Sequence, residues 1–266
     1  MKKVTNIFAT DMDGTFLRDD HYYEEKRLAF LLDKMDIQDE LFCAASGRAG
    51  IALEKLFEPV KNRISYVAEN GGLVIYKGKE IFTASFSMDQ VKQIVQTLHE
   101  LPAGTEDFLI SGKNGAYIPE TASEEYFKHL EIYYANGQRY RRLEDIDDEM
   151  LKVTTNFPER DLKFYEKELN ARVPFIHATP SGFTSIDIIP AGISKATGLE
   201  ALAKYLGLAA EDVIAFGDQL NDLEMMRYAG TSIAVENAVP EIKAVADYVI
   251  GNNNDSSVLV EMEKLI

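Results

Sequence analysis

Apolar positions along this chain follow two alternating periods. Val4 to Thr10, Leu41 to Ala45 and Tyr66 to Ala68 are apolar runs of strand length. Between them, Glu24 to Met35 places Leu28, Leu31, Leu32 and Met35 at helical spacing, and Gly50 to Phe57 does the same with Ile51, Leu53, Leu56 and Phe57. Short apolar strands separated by amphipathic helices predict a parallel sheet covered by helices on both faces. The pattern returns near the C-terminus. Helices are expected over Lys195 to Leu206, Leu220 to Tyr228, Pro240 to Ala246 and Ser256 to Leu265. Strands are expected at Val213 to Phe216, Ser232 to Val235 and Tyr248 to Ile250. Pro240 stands in the first turn of its helix, where its missing N–H costs nothing.

The middle of the chain reads differently. A helix over Met88 to Leu101 precedes two strands, Asp107 to Ser111 and Ala116 to Pro119, which flank the turn signal Gly112-Lys113-Asn114-Gly115. After a further helix come a strand at Leu151 to Asn156 and a helix at Glu159 to Leu169. A second hairpin follows, Val173 to Ala178 and Phe183 to Ile189 around Thr179-Pro180-Ser181-Gly182. The expectation is an α/β fold: a Rossmann-like core over 1–82 and 191–266, with an α+β module, 83–190, inserted into it.

Composition narrows the functions such a fold could carry. The 266 residues include 44 acidic and 28 basic ones, a net charge of −16. A surface that acidic disfavours nucleic acid or an anionic bilayer as the main partner. With 46% hydrophobic and 10% aromatic residues, the chain has ample material for a core. A single cysteine, Cys43, excludes an intrachain disulfide and reads as a small core residue within Leu41-Phe42-Cys43-Ala44-Ala45. No run approaches the about 18 apolar residues of a membrane span, and Met1 to Phe8 lacks the apolar core of a signal peptide. The expected location is the cytoplasm. His21, His99, His129 and His177 show no metal-ligand spacing.

Four segments carry candidate chemistry. Asp11-Met12-Asp13-Gly14-Thr15 follows the first strand directly, and ligands of open parallel sheets bind beyond the carboxyl ends of strands. Two carboxylates there can serve one ligand, one attacking an electrophile and the other moving a proton. Gly217-Asp218-Gln219-Leu220-Asn221-Asp222 also follows a strand and supplies hard oxygen ligands suited to Mg²⁺. Taken alone, Asp218 reads as a helix N-cap; beside the Asp11 pair, four carboxylates at one sheet edge favour a metal. Ala45-Ser46-Gly47-Arg48 offers a hydroxyl and backbone N–H groups at a helix start, an anion cradle or an ordinary cap. Lys195 opens a helix, where a cation opposes the dipole, so either it is solvated or something outside the helix requires it.

In this order the four segments resemble the four motifs of the haloacid dehalogenase (HAD) superfamily of phosphotransferases, and the insert resembles the large α+β (C2-type) cap of its Cof-type branch. Glu69-Asn70-Gly71-Gly72, Asp187 to Lys195 and Ala234-Val235-Glu236-Asn237-Ala238 support the match. The resemblance implies a Mg²⁺-dependent phosphatase acting on a small phosphorylated metabolite, such as a sugar phosphate or a phosphorylated cofactor. It casts Asp11 as the nucleophile that becomes an aspartyl-phosphate, and Asp13 as the acid and base. It gives the metal to Asp11, the Asp13 carbonyl and Asp218, with Asp222 close by, and the phosphate to Ser46, the Gly47 N–H, Lys195 and Asn221.

The chain departs from the family pattern at Val235-Glu236, where Met-Gly is frequent, and in Asn252 to Val258, where Ser replaces a usual Gly. Neither departure touches a catalytic group. In the insert, Arg139, Arg141 and Arg142 with Tyr133, Tyr134 and Tyr140 could contact a polar substrate, but a solvated surface is the favoured reading. A phosphosugar mutase and a non-catalytic phosphometabolite-binding protein are the competing readings. Oligomeric state is not legible.

Overall fold

The computed structural model describes residues 4–102, 105–130, 136–181 and 184–266. The first stretch builds β1 (Ile7–Thr10), α1 (Glu25–Gln38), β2 (Leu41–Ala45), α2 (Gly50–Leu56), β3 (Ser65–Ala68), β4 (Leu73–Tyr76) and β5 (Lys79–Thr83). The intervening stretch contributes α3 (Met88–Glu100), β6 (Phe108–Gly112), β7 (Ala116–Pro119), α4 (Glu124–Leu130) and β8 (Gly137–Tyr140). It continues with β9 (Met150–Asn156), α5 (Leu162–Arg172), β10 (Ile176–Pro180) and β11 (Ser185–Pro190). The last stretch adds α6 (Lys195–Leu206), β12 (Val213–Gly217), α7 (Leu223–Tyr228), β13 (Thr231–Ala234), α8 (Pro240–Lys243), β14 (Tyr248–Val249) and α9 (Ser257–Leu265).

These elements separate into two compact units. Met1–Arg48, Leu53–Phe82 and Ser194–Ile266 form one, and Ala49–Ala52 with Thr83–Ile193 form the other. The first unit is built on a sheet of order β14-β13-β12-β1-β2-β3-β4-β5. From β14 to β3 the pairings are parallel, and β4 turns back antiparallel on β3. Every residue of β1, β2 and β3 is buried, as expected of central parallel strands covered on both faces. Helix α1 buries the four predicted residues, Leu28, Leu31, Leu32 and Met35. Phe16, Tyr23, Phe42, Phe57 and Tyr66 form a chain of ring contacts with centroids 5.0–6.4 Å apart. Phe16 lies just beyond the Asp11 to Thr15 turn, so the aromatic core anchors that turn from below.

The second unit has a sheet of order β10-β11-β9-β6-β7-β8. The side chains Phe108, Ile110, Val153, Ile186 and Ile188 meet Val91, Ile94 and Leu98 of α3 and Leu162, Tyr165 and Leu169 of α5 in one core. Leu109, Ala116 and Ile118 pack with Tyr126 and Leu130 of α4 in a second, smaller one. The α/β class and the α+β insert are therefore as the alternating pattern predicts. The Gly112–Gly115 turn closes its hairpin through a 2.8 Å bond from Gly112 N to Gly115 O. Strands β10 and β11 pair antiparallel, while Gly182 and Phe183, assigned to their turn and strand, lie outside the described residues.

Some boundaries differ from expectation. The helix expected from Leu220 starts as a 3-10 turn, Leu220–Asp222, because Asp222 accepts from two backbone N–H groups there. The helix expected over Glu159 to Leu169 runs over Leu162–Arg172 after a 3-10 turn at Glu159–Asp161. The strands β4, β5 and β8 carry no counterpart in the sequence reading.

Candidate active site

The strand order explains how distant motifs meet. Strand β1 lies between β12 and β2; from β1 the chain moves on to β2, and from β12 it moves to β13, in the opposite direction along the sheet. At such a switch point the carboxyl ends of neighbouring strands open into a crevice. Asp11 follows β1, Asp218 follows β12 and Ser46 follows β2, all on this edge. The Asp11 N–H donates to the Phe216 carbonyl at 2.9 Å, which ties the first turn to β12. The turn then closes on itself, with Phe16 N to Asp11 O at 3.2 Å and Leu17 N to Met12 O at 2.8 Å.

Three carboxylates and one lysine occupy the centre. Lys195 Nζ donates to Asp11 Oδ1 at 2.5 Å and to Asp222 Oδ1 at 2.6 Å. The second Asp222 oxygen accepts from the backbone N–H groups of Asp218 (2.9 Å) and Gln219 (3.1 Å). Thr15 Oγ1 donates to Asp218 Oδ1 at 2.7 Å. Gly14 has φ +82°, and a Cβ there would come 2.6 Å from Asp218 Oδ2, so only glycine lets that carboxylate approach the turn. Lys195 is the first residue of α6, whose cap is a reciprocal pair between Ser194 and Thr197. Its unfavourable place at a helix N-terminus is thus offset by two buried acids.

Charge in this cluster is unbalanced. Burial, reinforced by Asp222, Asp218 and Asp13, raises the Asp11 pKa well above the ordinary carboxylate value against the opposing pull of Lys195. Burial and then Asp222 push Asp218 up to about 6. Burial works against the Lys195 ammonium, yet Asp11 and Asp222 outweigh it and its pKa rises. Oxygens of Asp11, Asp218 and Asp222 lie within 4.8 Å of one another. Three buried carboxylates around one ammonium form an all-oxygen donor set with excess negative charge, which fits a hard divalent cation such as Mg²⁺.

The remaining predicted residues form a rim. Asp13 is held on both oxygens by Arg48, at 2.7 Å from Nε and 2.5 Å from Nη2, and its side chain is 46% exposed. His21 Nδ1 lies 3.5 Å from the same carboxylate. Ser46 is buried, its Oγ accepting from Arg48 N at 3.1 Å. Asn221 donates through Nδ2 to Asn70 Oδ1 at 3.3 Å. Asp11, Asp218, Asp222 and Lys195 thus converge, and Asp13, Ser46, Gly47 and Asn221 lie on the loops that follow β1, β2 and β12 at the same sheet edge. Thr15, Arg48 and Asn70 carry no role in the sequence reading, although all three stand inside the segments quoted for it.

In the second unit, Arg139 donates to the Pro119, Glu120 and Ala122 carbonyls and to Glu124, and lies over the Phe127 ring. Arg142 pairs with Asp145, and Tyr140 is buried. Arg139 and Arg142 are therefore committed to local structure. Tyr133 and Tyr134 lie outside the described residues.

Comparison with known proteins agrees with this geometry. The family model for haloacid dehalogenase-like hydrolases matches residues 8–262. The chain belongs to that family, and its enzyme class is phosphoric monoester hydrolase. It is 34% identical to the 5-amino-6-(5-phospho-D-ribitylamino)uracil phosphatase YbjI of Escherichia coli K12, over 98% of this chain and 96% of the relative. It is 27% identical to the HMP-PP phosphatase of Enterobacter sp. 638, over 96% and 93% of the two chains. The crystal structure of SMU.1108c from Streptococcus mutans UA159 matches with a TM-score of 0.91 at 27% identity, covering 98% of both chains. Among the described residues no helix is long and apolar enough to cross a membrane.

Proposed function

We propose that this chain hydrolyses the monoester of a small phosphorylated metabolite through a phosphorylated Asp11, with Mg²⁺ held by Asp11, Asp218 and the Asp13 carbonyl and with Asp222 beside them. The observation that carries the reading is the buried Lys195 bridging Asp11 and Asp222. A lysine placed there neutralises charge where a carboxylate must meet a phosphate dianion. When bound, Mg²⁺ adds to that neutralisation and polarises the phosphoryl oxygens.

The residues then act in two steps. An Asp11 oxygen forms a bond to phosphorus as the ester P–O bond breaks, and Asp13 gives its proton to the departing alkoxide. Asp13 next takes a proton from water, whose oxygen attacks the phosphorus of the aspartyl-phosphate, releasing phosphate and restoring Asp11. Ser46, the Gly47 N–H, Lys195 and Asn221 hold the phosphoryl oxygens through both steps, which suits a reaction that depends on positioning and charge. Asp13 on the exposed rim can exchange its proton with solvent between steps. The inserted unit supplies the choice of substrate.

The substrate named for the Escherichia coli relative, 5-amino-6-(5-phospho-D-ribitylamino)uracil, is the first compound to test. The experiment is phosphate release over a panel of that compound, sugar phosphates, nucleotides, pyridoxal phosphate and flavin mononucleotide with Mg²⁺, beside Asp11→Asn. Turnover by the wild type and none by the variant is expected. Equal inactivity of both across the panel refutes the reading. Hexose phosphate interconversion without free phosphate would select the mutase instead.

A further inference from the structure

The turn Glu69–Gly71 lies outside the four motifs, yet its backbone is strained and it is fully buried. Glu69 and Asn70 both have positive φ, 51° and 53°, and are 0% and 2% exposed. Left-handed conformations are rare for residues other than glycine, and two in succession persist only where the surroundings require them. The surroundings here are the phosphate-side loops. Glu69 N donates to the Arg48 carbonyl and Asn70 N to the Ser46 carbonyl, each at 3.0 Å. The turn therefore runs along the Ser46-Gly47-Arg48 loop and holds both its ends.

The Asn70 side chain extends this connection. Its Oδ1 accepts from Asn221 Nδ2 at 3.3 Å. A Cβ on Gly47 would stand 3.1 Å from the same oxygen, so the Asn70 amide lies against the Gly47 backbone. On its other side, Gly71 passes so close to the Ser194 carbonyl that a Cβ there would overlap it. One short turn thus touches the loops that carry Ser46 and Gly47, Asn221, and Lys195.

We infer that Asn70 is a positioning residue, fixing the Asn221 amide relative to the Gly47 N–H so that both meet one phosphoryl group. The inference rests on the phosphate-cradle reading given above. A residue acting through Asn221 must lose its effect when Asn221 is absent, because coupled residues are non-additive.

The test uses full-length protein and inhibition by orthovanadate, with Asn70→Gly, Asn221→Ala and the double variant. Glycine adopts the left-handed backbone freely, so Asn70→Gly removes the amide without adding strain. The expected result is a vanadate Ki raised about tenfold in each single variant, with the thermal midpoint of Asn70→Gly within a few degrees of wild type. In the Asn221→Ala background, Asn70→Gly is expected to change Ki by less than about twofold. Should Asn70→Gly not fold, Asn70→Ser, whose shorter side chain stops short of Asn221, carries the same expectation. If the two single effects multiply, or Asn70→Gly leaves Ki unchanged while Asn221→Ala raises it, the inference fails and the cradle stands. If Asn221→Ala leaves Ki unchanged, the cradle reading fails and the inference falls with it.

Discussion

Replacing Asp218 with Asn is expected to make the metal-free protein more stable while destroying its activity. Asp218 is 3% exposed, and its pKa is pushed up to about 6 by burial and by Asp222. The rise from the ordinary value of 3.8 is about two units. At 1.36 kcal/mol per unit it corresponds to on the order of 3 kcal/mol of native-state penalty for the ionised form. Between pH 3.8 and about 6 the native state binds the proton more tightly than the unfolded chain. Stability therefore falls as pH rises through that window and stays reduced above it. Asparagine keeps an oxygen that can accept from Thr15 and removes the charge. In EDTA at pH 8, Asp218→Asn should exceed wild type by about 1–3 kcal/mol, or roughly 2–10 °C in thermal midpoint for a chain of this size. At pH 4 the two should converge. Excess Mg²⁺ stabilises whichever protein binds it, by about 4.1 kcal/mol at a thousandfold its dissociation constant. That gain belongs mainly to the wild type, so the order should reverse. Thermal and urea unfolding at pH 4 and 8, with EDTA and with Mg²⁺, measure all four combinations. A variant less stable than wild type at pH 8 in EDTA would refute the premise that the acids crowd together to receive a cation.

Three other outcomes follow from single features. Gly71→Ala combines positive φ at +104° with overlap on the Ser194 carbonyl; a loss of about 2–4 kcal/mol is expected, and kcat should fall further than the folded fraction because Ser194 caps the helix that carries Lys195. Circular dichroism melting beside steady-state kinetics separates the two losses. Cys43 is buried with its thiol pKa raised, first by desolvation, so it should resist thiol reagents in the native protein and react once urea unfolds it. Arg27 grips Glu263 with two 2.8 Å bonds and lowers its pKa; Glu263→Gln should cost about 0.5–1 kcal/mol at pH 7. A lowered carboxyl pKa stabilises above its unfolded value, so that cost should vanish as pH falls through the folded pKa, which urea titrations at several pH values will show.

The parts of this molecule legible in the sequence are those where burial is complete and local. Strands β1, β2 and β12 are short apolar runs ending in Asp, Ser or Gly, and their buried residues leave little to interpretation. Strand β5 reads Lys-Glu-Ile-Phe-Thr at the edge of its sheet with no residue buried, so its pattern carries no core signal. Strand β8 likewise exposes polar positions at the edge of its own sheet. The site divides in the same way. The Asp11 pair stands out by residue type and by place at a strand end, whereas Asp218 and Lys195 are ambiguous singly and gain meaning only when the four segments are taken together. Arg48 and Asn70 do not stand out, because their partners Asp13 and Asn221 lie 35 and 151 positions away and meet them only through sheet order. The insert shows the converse: residue type offers Arg139 to a polar substrate, while the fold commits it to carbonyls of the chain itself.

The insertion point also explains how Lys195 comes to be buried. The chain leaves the first sheet from β5, the strand at one end of the order, and returns at α6. No central strand is interrupted, so the crevice between β12, β1 and β2 keeps its geometry whatever is inserted. Helix α6 returns against β3, β4 and the Glu69–Gly71 turn. Its approach is limited there by small residues: a Cβ on Gly198 would come 2.5 Å from Val67 and 3.0 Å from the Gly71 Cα. Larger side chains at 71 and 198 would hold the helix outward and draw its first residue, Lys195, away from Asp11 and Asp222. The lysine is long enough to follow a small shift, but a buried ammonium stretched from two buried acids loses the hydrogen bonds that offset their desolvation. Close helix packing in this fold is thus a condition for charge balance among Lys195, Asp11 and Asp222 as well as for stability, and the glycines at 71 and 198 are where sequence sets it.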